Sequence, residues 1–398
     1  MTREQRGPAN YNLILATVAF AVAFAVWSLI SPLAPSLQKE FHLSDVAVST
    51  LIAVPVLLGS VLRIPMGLLT DRYGGRLMFT LLLLFSAATA FSFMFASSFA
   101  ILVLMGLLLG TAGSSFAIGV PTVSRWFSPK EQGLVLGIFG MGNIGTAVSA
   151  RLAPALSAGG GWIRPFQVLG AVAAIMALIY WLTGRDAPRP AGPQRSIADR
   201  LSVLGKGWGA WLLSLYYFLS FGGFVALGAY LPKFLVDRFA LDRIDAGNRT
   251  AGFVLVATLA RPLGGWLADR FGGRRVLTTI FVIIPALAGV LATDPDMTVL
   301  TAAFLALAVC FGIGNGAVFK LVAEVYPKET GTVTGVVGAA GGLGGFFPPL
   351  VMGAVKQSTG SYALGFGFLA AFAALCLLIH VMGSIGRAPT GAGKGATQ

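Results

Sequence analysis

Charge is scarce in this sequence. Asp, Glu, Lys and Arg make up 11% of its 398 residues, where a soluble domain carries roughly 25%. Histidine and cysteine are scarcer still, with two of each. His42 and His380 fall near the ends of apolar runs and have no metal-like companions. There is no Cys/His ligand set, no Gly-rich Lys-Ser/Thr nucleotide loop and no basis for a Ser-His-Asp set. The chain therefore does not read as an enzyme, and neither a cofactor nor a metal is expected. Cys310 and Cys376 both lie in apolar runs, where a free thiol is an ordinary buried residue and a structural disulfide is not expected.

Apolar sequence is abundant instead. The chain is 56% hydrophobic, with a mean hydropathy of +0.82. Apolar runs recur from Tyr11 to Met382, and most reach the ~20 residues that cross a bilayer. The pattern predicts an all-α membrane protein. Twelve spans are expected at 10–38, 44–70, 77–96, 98–124, 131–156, 164–184, 207–236, 246–268, 275–293, 296–323, 330–355 and 362–386. The first run lacks a small-residue cleavage site after a short apolar core, so it reads as a retained helix. Between 184 and 207 the pattern breaks into Arg185, Arg189, Arg195, Arg200 and Lys206 with three prolines. That segment reads as a solvated linker. The expected units are a six-helix bundle over 1–184, a cytoplasmic linker over 185–206, and a second bundle with a short tail over 207–398.

The net charge of +13 would raise the question of nucleic acid in a soluble protein. Here the basic residues cluster in alternate loops, and topology accounts for them. Arg3, Arg6, Arg72, Arg76, Arg125, Lys130, the linker, Arg270, Arg274 and Arg275 fall on one side. The Ser97-Ser98 loop carries no charge, and the ninth loop carries Asp294 and Asp296. Both termini are therefore expected in the cytoplasm of a cell with a bacterial-type plasma (inner) membrane. One loop on the expected outer side dissents, with Lys233, Arg238, Arg243 and Arg249 offset in part by Asp237, Asp242 and Asp245.

Two arginines stand inside apolar runs. Arg63 and Arg261 each precede an aspartate by eight residues, in near-copies of one phrase set 198 residues apart. Eight helical residues span ~12 Å, which puts both guanidinium groups near the middle of a ~30 Å hydrocarbon core. Such a charge costs at least ~2.5–3.5 kcal/mol to insert. With no acidic partner at matching depth in the sequence, the expected partner is an anionic ligand. Guanidinium is permanently charged and forked, and suits a small flat oxyanion.

The repeated phrases carry a family resemblance. Gly67-Leu-Leu-Thr-Asp71-Arg72-Tyr-Gly74-Gly75-Arg76 and its copy from Gly265 to Arg274 resemble the signature loop of the major facilitator superfamily. Two pseudo-symmetric six-helix bundles with a midplane site between them are what that resemblance implies. Gly137-Ile-Phe-Gly140-Met-Gly142-Asn143-Ile-Gly145 resembles the nitrate signature of the nitrate/nitrite porter family. The run from Gly335 to Pro349, with Gly338, Gly341 and Gly342, resembles its second copy. Tyr217-Phe-Leu-Ser-Phe221 and Gly314-Asn315-Gly316-Ala-Val-Phe319-Lys320 are similar to the same family, closest to its assimilatory, NasA-like branch. The signature is asymmetric, since the place of Asn143 is taken by Gly342 in the second copy.

The resemblance implies nitrate or nitrite as substrate, with Arg63 and Arg261 holding the anion from both halves. Phe116 and Phe221 match an aromatic sandwich around it. Tyr217 would offer a hydroxyl one turn away, and Asn143 an amide donor. Gly142 and Gly341 are expected to shape the pocket by letting helices approach. Asp71, Arg72, Arg76, Asp269, Arg270 and Arg274 resemble gating latches, with Lys130, Glu131, Lys328 and Glu329 as their partners. Lys320 and Glu324, four residues apart on one helix, are expected to pair. Arg151 and Lys356 lie toward the outer side and need no special role.

Uptake of an anion against an inside-negative potential costs about 2.3 kcal/mol per 100 mV. Electroneutral nitrate/nitrite exchange avoids that cost, and so does symport with protons. No Asp, Glu or His stands at mid-span depth, which favours exchange, whereas the assimilatory resemblance favours proton-coupled uptake. Other readings are transport of a different small anion, such as a carboxylate, and a non-transporting anion sensor. A sensor is expected to carry an added soluble domain, and the sequence after Met382 is short. The lipid bilayer and the anion are the expected partners, without nucleic acid. One chain holds both halves, so a monomer is expected to suffice.

Overall fold

The computed structural model describes residues 3–127, 132–187, 202–205, 207–326 and 330–383. Among them the chain is almost wholly helical. Eleven helices are long and apolar enough to cross a membrane, and a bent pair makes the twelfth. In order the spans are Arg6–Glu40, Asp45–Val61 with Arg63–Tyr73, Gly75–Phe95, Phe99–Ser124, Val135–Ala158, Arg164–Thr183, Gly209–Phe239, Arg243–Phe271, Gly273–Ala292, Met297–Val322, Thr332–Thr359 and Ala363–Met382. Twelve crossings put spans one and twelve at the same face at their terminal ends. That side is called the terminal face here, and the other the distal face.

Local chemistry sets the turns. On the distal side, Ser44, Ser98, Asp242 and Asp296 cap the helices that follow, each accepting a backbone N–H at its helix start. On the terminal side, the two repeated loops turn at Gly74, φ +93°, and Gly272, φ +85°. Only glycine adopts such angles without strain. Behind Gly74, the Asp186 carboxylate accepts Gly75 N–H at 2.6 Å and Arg76 N–H at 3.1 Å. It thereby caps the third span from the first residues after the sixth.

The two halves repeat each other in packing. Spans three and six pair, as do nine and twelve; one and five pair, as do seven and eleven; two and four pair, as do eight and ten. Close approach depends on glycine. A Cβ at Gly145 would strike the Ala21 carbonyl, and one at Gly344 the Phe218 carbonyl. Small residues at such crossings let helix backbones touch where lipid offers no hydrophobic drive.

Across the two halves, the faces differ. Toward the distal face, Gly247 abuts the Ala150 carbonyl and Gly353 abuts Ser49. Ser31 donates to the Ala229 carbonyl. Val46 N–H donates to Gln357 at 3.3 Å, and Arg243 to Ser36 at 2.6 Å. Toward the terminal face, the ion pairs Asp71–Arg125 (2.5 Å) and Asp269–Lys320 (2.6 Å) each join spans of one half. The structure is therefore sealed at its distal face.

The dissenting basic loop is also explained. Lys233 pairs with Asp45 and Asp237, Arg238 with Asp294 at 2.7 Å, and Arg249 with Asp245 at 3.1 Å. These cations are held by the protein and need no cytoplasmic location. Cys310 and Cys376 are free and buried.

Replacing Gly145 by Val should cost ~1–3 kcal/mol or more through overpacking against backbone. Gly289→Val, where a side chain meets open space, should cost little. Thermal unfolding of the detergent-solubilised protein compares the two.

Candidate anion-binding site

The second span breaks where it must deliver its arginine. Pro65 has no N–H to offer the Val61 carbonyl, and its ring crowds that oxygen. The helix ends at Val61 and resumes at Arg63 with a 41° bend. Arg63 is only 4% exposed. Its Nη1 crosses to the other half and donates to the Gly338 carbonyl at 2.6 Å. Arg261 comes from the uninterrupted helix Arg243–Phe271. Its Nη2 donates to the Tyr217 hydroxyl at 3.1 Å, and its Cζ lies 4.0 Å from where a Cβ at Gly140 would be. Each arginine thus reaches the glycine run of the opposite half.

One ring is close to both guanidinium groups. Phe221 has Arg63 Cζ 5.3 Å and Arg261 Cζ 5.7 Å from its centroid. Tyr217 stacks on Phe221 at 4.9 Å with an interplanar angle of 4°. Phe116 sits 5.9 Å from Arg63 Cζ. These contacts offset part of the cost of two buried cations. Among the described residues no carboxylate forms an ion pair with either arginine. Arg63 Nε and Arg261 Nη1 are buried without a hydrogen-bond partner. Unpaired charged donors held away from solvent carry a penalty, and an anion is the kind of group that would remove it.

Asn143 is 1% exposed. Its Nδ2 donates to the Gly140 carbonyl at 2.6 Å, and its Oδ1 is buried and unpaired. The asymmetry with Gly342 has a steric cause. A Cβ at Gly342 would lie 3.4 Å from Arg63 Cζ and collide with Ser60 Oγ. Arg63 and Ser60 fill the space that an asparagine there would need.

Sequence reasoning placed Arg63, Arg261, Asn143, Phe116, Tyr217 and Phe221, and the structure brings the arginines and aromatics together. Gly142 and Gly341 make room for side chains. Each seats an aromatic ring, Phe20 over Gly142 and Tyr217 over Gly341. The glycines that face guanidinium are Gly140, Gly338 and Gly342. From sequence, Phe319 stands only within the family-like phrase Gly314–Lys320 and is given no role. It lies 4.8 Å from Tyr217 and 6.4 Å from Phe116, bridging the halves.

Among the described residues the expected latch residues have the following contacts. Asp71 pairs with Arg125, and Asp269 with Lys320, which also lies 3.5 Å from Glu324. Arg76 Nε donates to the Trp181 carbonyl at 2.8 Å, and Arg274 to the Gly383 carbonyl at 3.0 Å. Those two staple span three to six and span nine to twelve. Arg72 lies over Tyr73, and Arg270 over Trp266 and Phe271. Lys130, Glu131, Lys328 and Glu329 fall outside the described residues. Arg125 and Asp186 were not anticipated as partners, because their distance in sequence hides the contact.

Comparisons with known proteins agree with this geometry. The family model described as Major Facilitator Superfamily matches residues 16–247 and again 213–396. A Bacillus subtilis protein named "Nitrite extrusion protein" is 41% identical over 90% of this chain and 90% of its own. A Staphylococcus epidermidis protein named "Probable nitrate transporter NarT" is 40% identical over 93% of this chain and 95% of its own. A Mycobacterium tuberculosis "Probable nitrate/nitrite transporter NarK2" is 42% identical over 92% and 94%. Among solved structures, a bacterial homologue of the human lysosomal transporter Spinster, inward-facing and occupied, superposes with a TM-score of 0.77. It is 19% identical and covers 96% of this chain and 97% of its own, so it speaks to the fold alone. Repeated signature loops, paired buried arginines and these relatives converge: the chain belongs to the major facilitator superfamily, within its nitrate/nitrite porter family, as a multi-pass membrane transporter and not an enzyme.

Proposed function

We propose that this protein moves nitrate and nitrite across a bacterial plasma membrane by alternating access, exchanging one anion for the other. The observation that carries the reading is the arginine pair, Arg63 buried and Arg261 half-buried, with unused donors and no ion-paired carboxylate among the described residues. A flat oxyanion accepts N–H from Arg63 on one edge and Arg261 on another, with the Phe221 and Phe116 rings nearby and Tyr217 beside it. Relatives named for nitrate transport and nitrite extrusion support the same substrates. The expected domain limits, 1–184, 185–206 and 207–398, give two bundles that rock about this site. Basic loops support a cytoplasmic terminal face, and with it the sealed distal face fits an inward-facing state. The two bundles in one chain complete the site, and a monomer suffices.

The anion also supplies the coupling. Two like charges held at one interface repel, and a bound anion between them removes that repulsion, so closure is favoured when the site is loaded. Exchange follows if the empty carrier changes face slowly. The residues gathered at the site are arginine, asparagine, tyrosine and phenylalanine, with no Asp, Glu or His among them.

Arg63→Lys and Arg261→Lys should each lower nitrate uptake by about tenfold or more, because a point charge does not replace a fork. Near wild-type uptake by both would end the proposal. Tyr217→Phe should weaken nitrate binding by about tenfold, the scale of one hydrogen bond to a charged group, measured by titration calorimetry. In proteoliposomes, labelled nitrate should enter rapidly only when nitrite or nitrate is inside. Entry driven by an imposed proton gradient into empty vesicles would show symport instead, and competition by formate over nitrite would show a carboxylate carrier.

A further inference from the structure

We propose that Lys233 is the distal gate of the transport cycle, a buried cation that locks the two halves together through Asp45 and Gln38 and is kept by Asp237 when they part. The side chain of Lys233 is fully buried near the distal end of the seventh span. Its Nζ donates to Asp45 Oδ1 at 2.9 Å and Gln38 Oε1 at 2.8 Å, both from the first two spans. The same Nζ donates to Asp237 Oδ2 at 2.5 Å, one turn along its own helix. Gln38 also donates to Asp45 at 3.0 Å, which fixes the acceptor pair. Tyr362 donates to Asp237 at 2.6 Å, and Ser49 and Tyr230 are hydrogen-bonded across the halves at 3.1 Å. Lys356 stands over the Tyr362 ring at 5.1 Å and donates to the Gly360 carbonyl at 2.8 Å.

The partners of Lys233 divide by half, and that division gives the device its logic. Opening the distal face separates the second span from the seventh. Lys233 then loses Asp45 and Gln38, while Asp237 moves with it. The cation is never left alone, so opening does not strand a bare charge in an apolar interface, which would be prohibitive. The lock still resists opening, because charge-assisted bonds across the halves exist only in the sealed state. Beside it, Gly353 packs closely against Ser49 and the Asp45 backbone carbonyl, across the halves. Asp45 and Gln38 belong to the closed state alone; Asp237 belongs to both.

This division predicts opposite behaviour for two aspartates that touch the same ammonium. A cysteine at Ser31, whose hydroxyl meets the Ala229 carbonyl in the sealed region, reports opening. With Cys310 and Cys376 replaced by Ala, the full-length protein carrying Ser31→Cys is treated in vesicles with a membrane-impermeant maleimide from the distal side. Asp45→Asn should raise the labelling rate by about tenfold. Asp237→Asn leaves a one-to-one pair between Lys233 and Asp45, and its rate should stay within about twofold of the parent or fall. Exchanging the charges, Asp45→Lys with Lys233→Asp, should return the rate to that of the parent. An unchanged rate in Asp45→Asn, or equal acceleration by both asparagine variants, overturns the proposal. The readout needs no transported anion, so it succeeds or fails separately from the assignment of nitrate and nitrite.

Discussion

Two guanidinium groups held at mid-depth between the halves, with no carboxylate to answer them, constrain the rest of this molecule. A buried charge is tolerated where its donors are used. Here some are used, by the Gly338 carbonyl and the Tyr217 hydroxyl, and others are not. Aromatic faces surround the pair in place of acids. A carboxylate in the same position would neutralise the arginines permanently and leave nothing for a ligand to do. The glycines opposite each arginine follow from the same constraint, since Arg63 and Arg261 each need a helix without side chains to reach across the interface.

The ends of the molecule solve a different problem. Charges near water can be paired by protein groups at little cost, and which groups pair decides which face can move. At the terminal face the described pairs Asp71–Arg125 and Asp269–Lys320 each hold spans within a half. At the distal face Lys233 and Arg243 bond across the halves. The sequence pattern of basic loops does not distinguish these uses. A lysine that sets topology and a lysine that locks two bundles look alike until the partner's half is known.

Much of the fold was legible beforehand. The span limits agree to within a few residues because hydrophobic length is a local property, and the repeat at 198 residues announced the two halves. The arginines were legible for the opposite reason, as charges where the local pattern forbids them. What escaped was contact made at long range. Gly142 and Gly341 belong to the signature, yet helical rotation turns them under Phe20 and Tyr217 and turns Gly140 and Gly338 toward the arginines. Phe319 was one phenylalanine among 29, and only its position between Tyr217 and Phe116 sets it apart. In this state the aspartates of the signature loops bond to Arg125 and Lys320 on neighbouring helices, contacts that distance in sequence hides.

The repeat is also where the halves stop being equivalent, and that bears on what the site can recognise. Pro65 stands two residues after Arg63 and breaks its helix, whereas Pro262 follows Arg261 directly inside an unbroken one. The guanidinium groups therefore approach the interface from differently shaped supports. Arg63, displaced by the bend, fills the place beside Gly342, while on the other side Asn143 remains with an unpaired oxygen. On the Gly342 side Arg63 fills the space, and on the Gly140 side the Asn143 amide N–H is taken by the Gly140 carbonyl. A two-fold symmetric pocket would grip a symmetric anion in two equal ways. An asymmetric one fixes a single orientation, and the difference between two and three oxygens then becomes a difference in the number of donors satisfied.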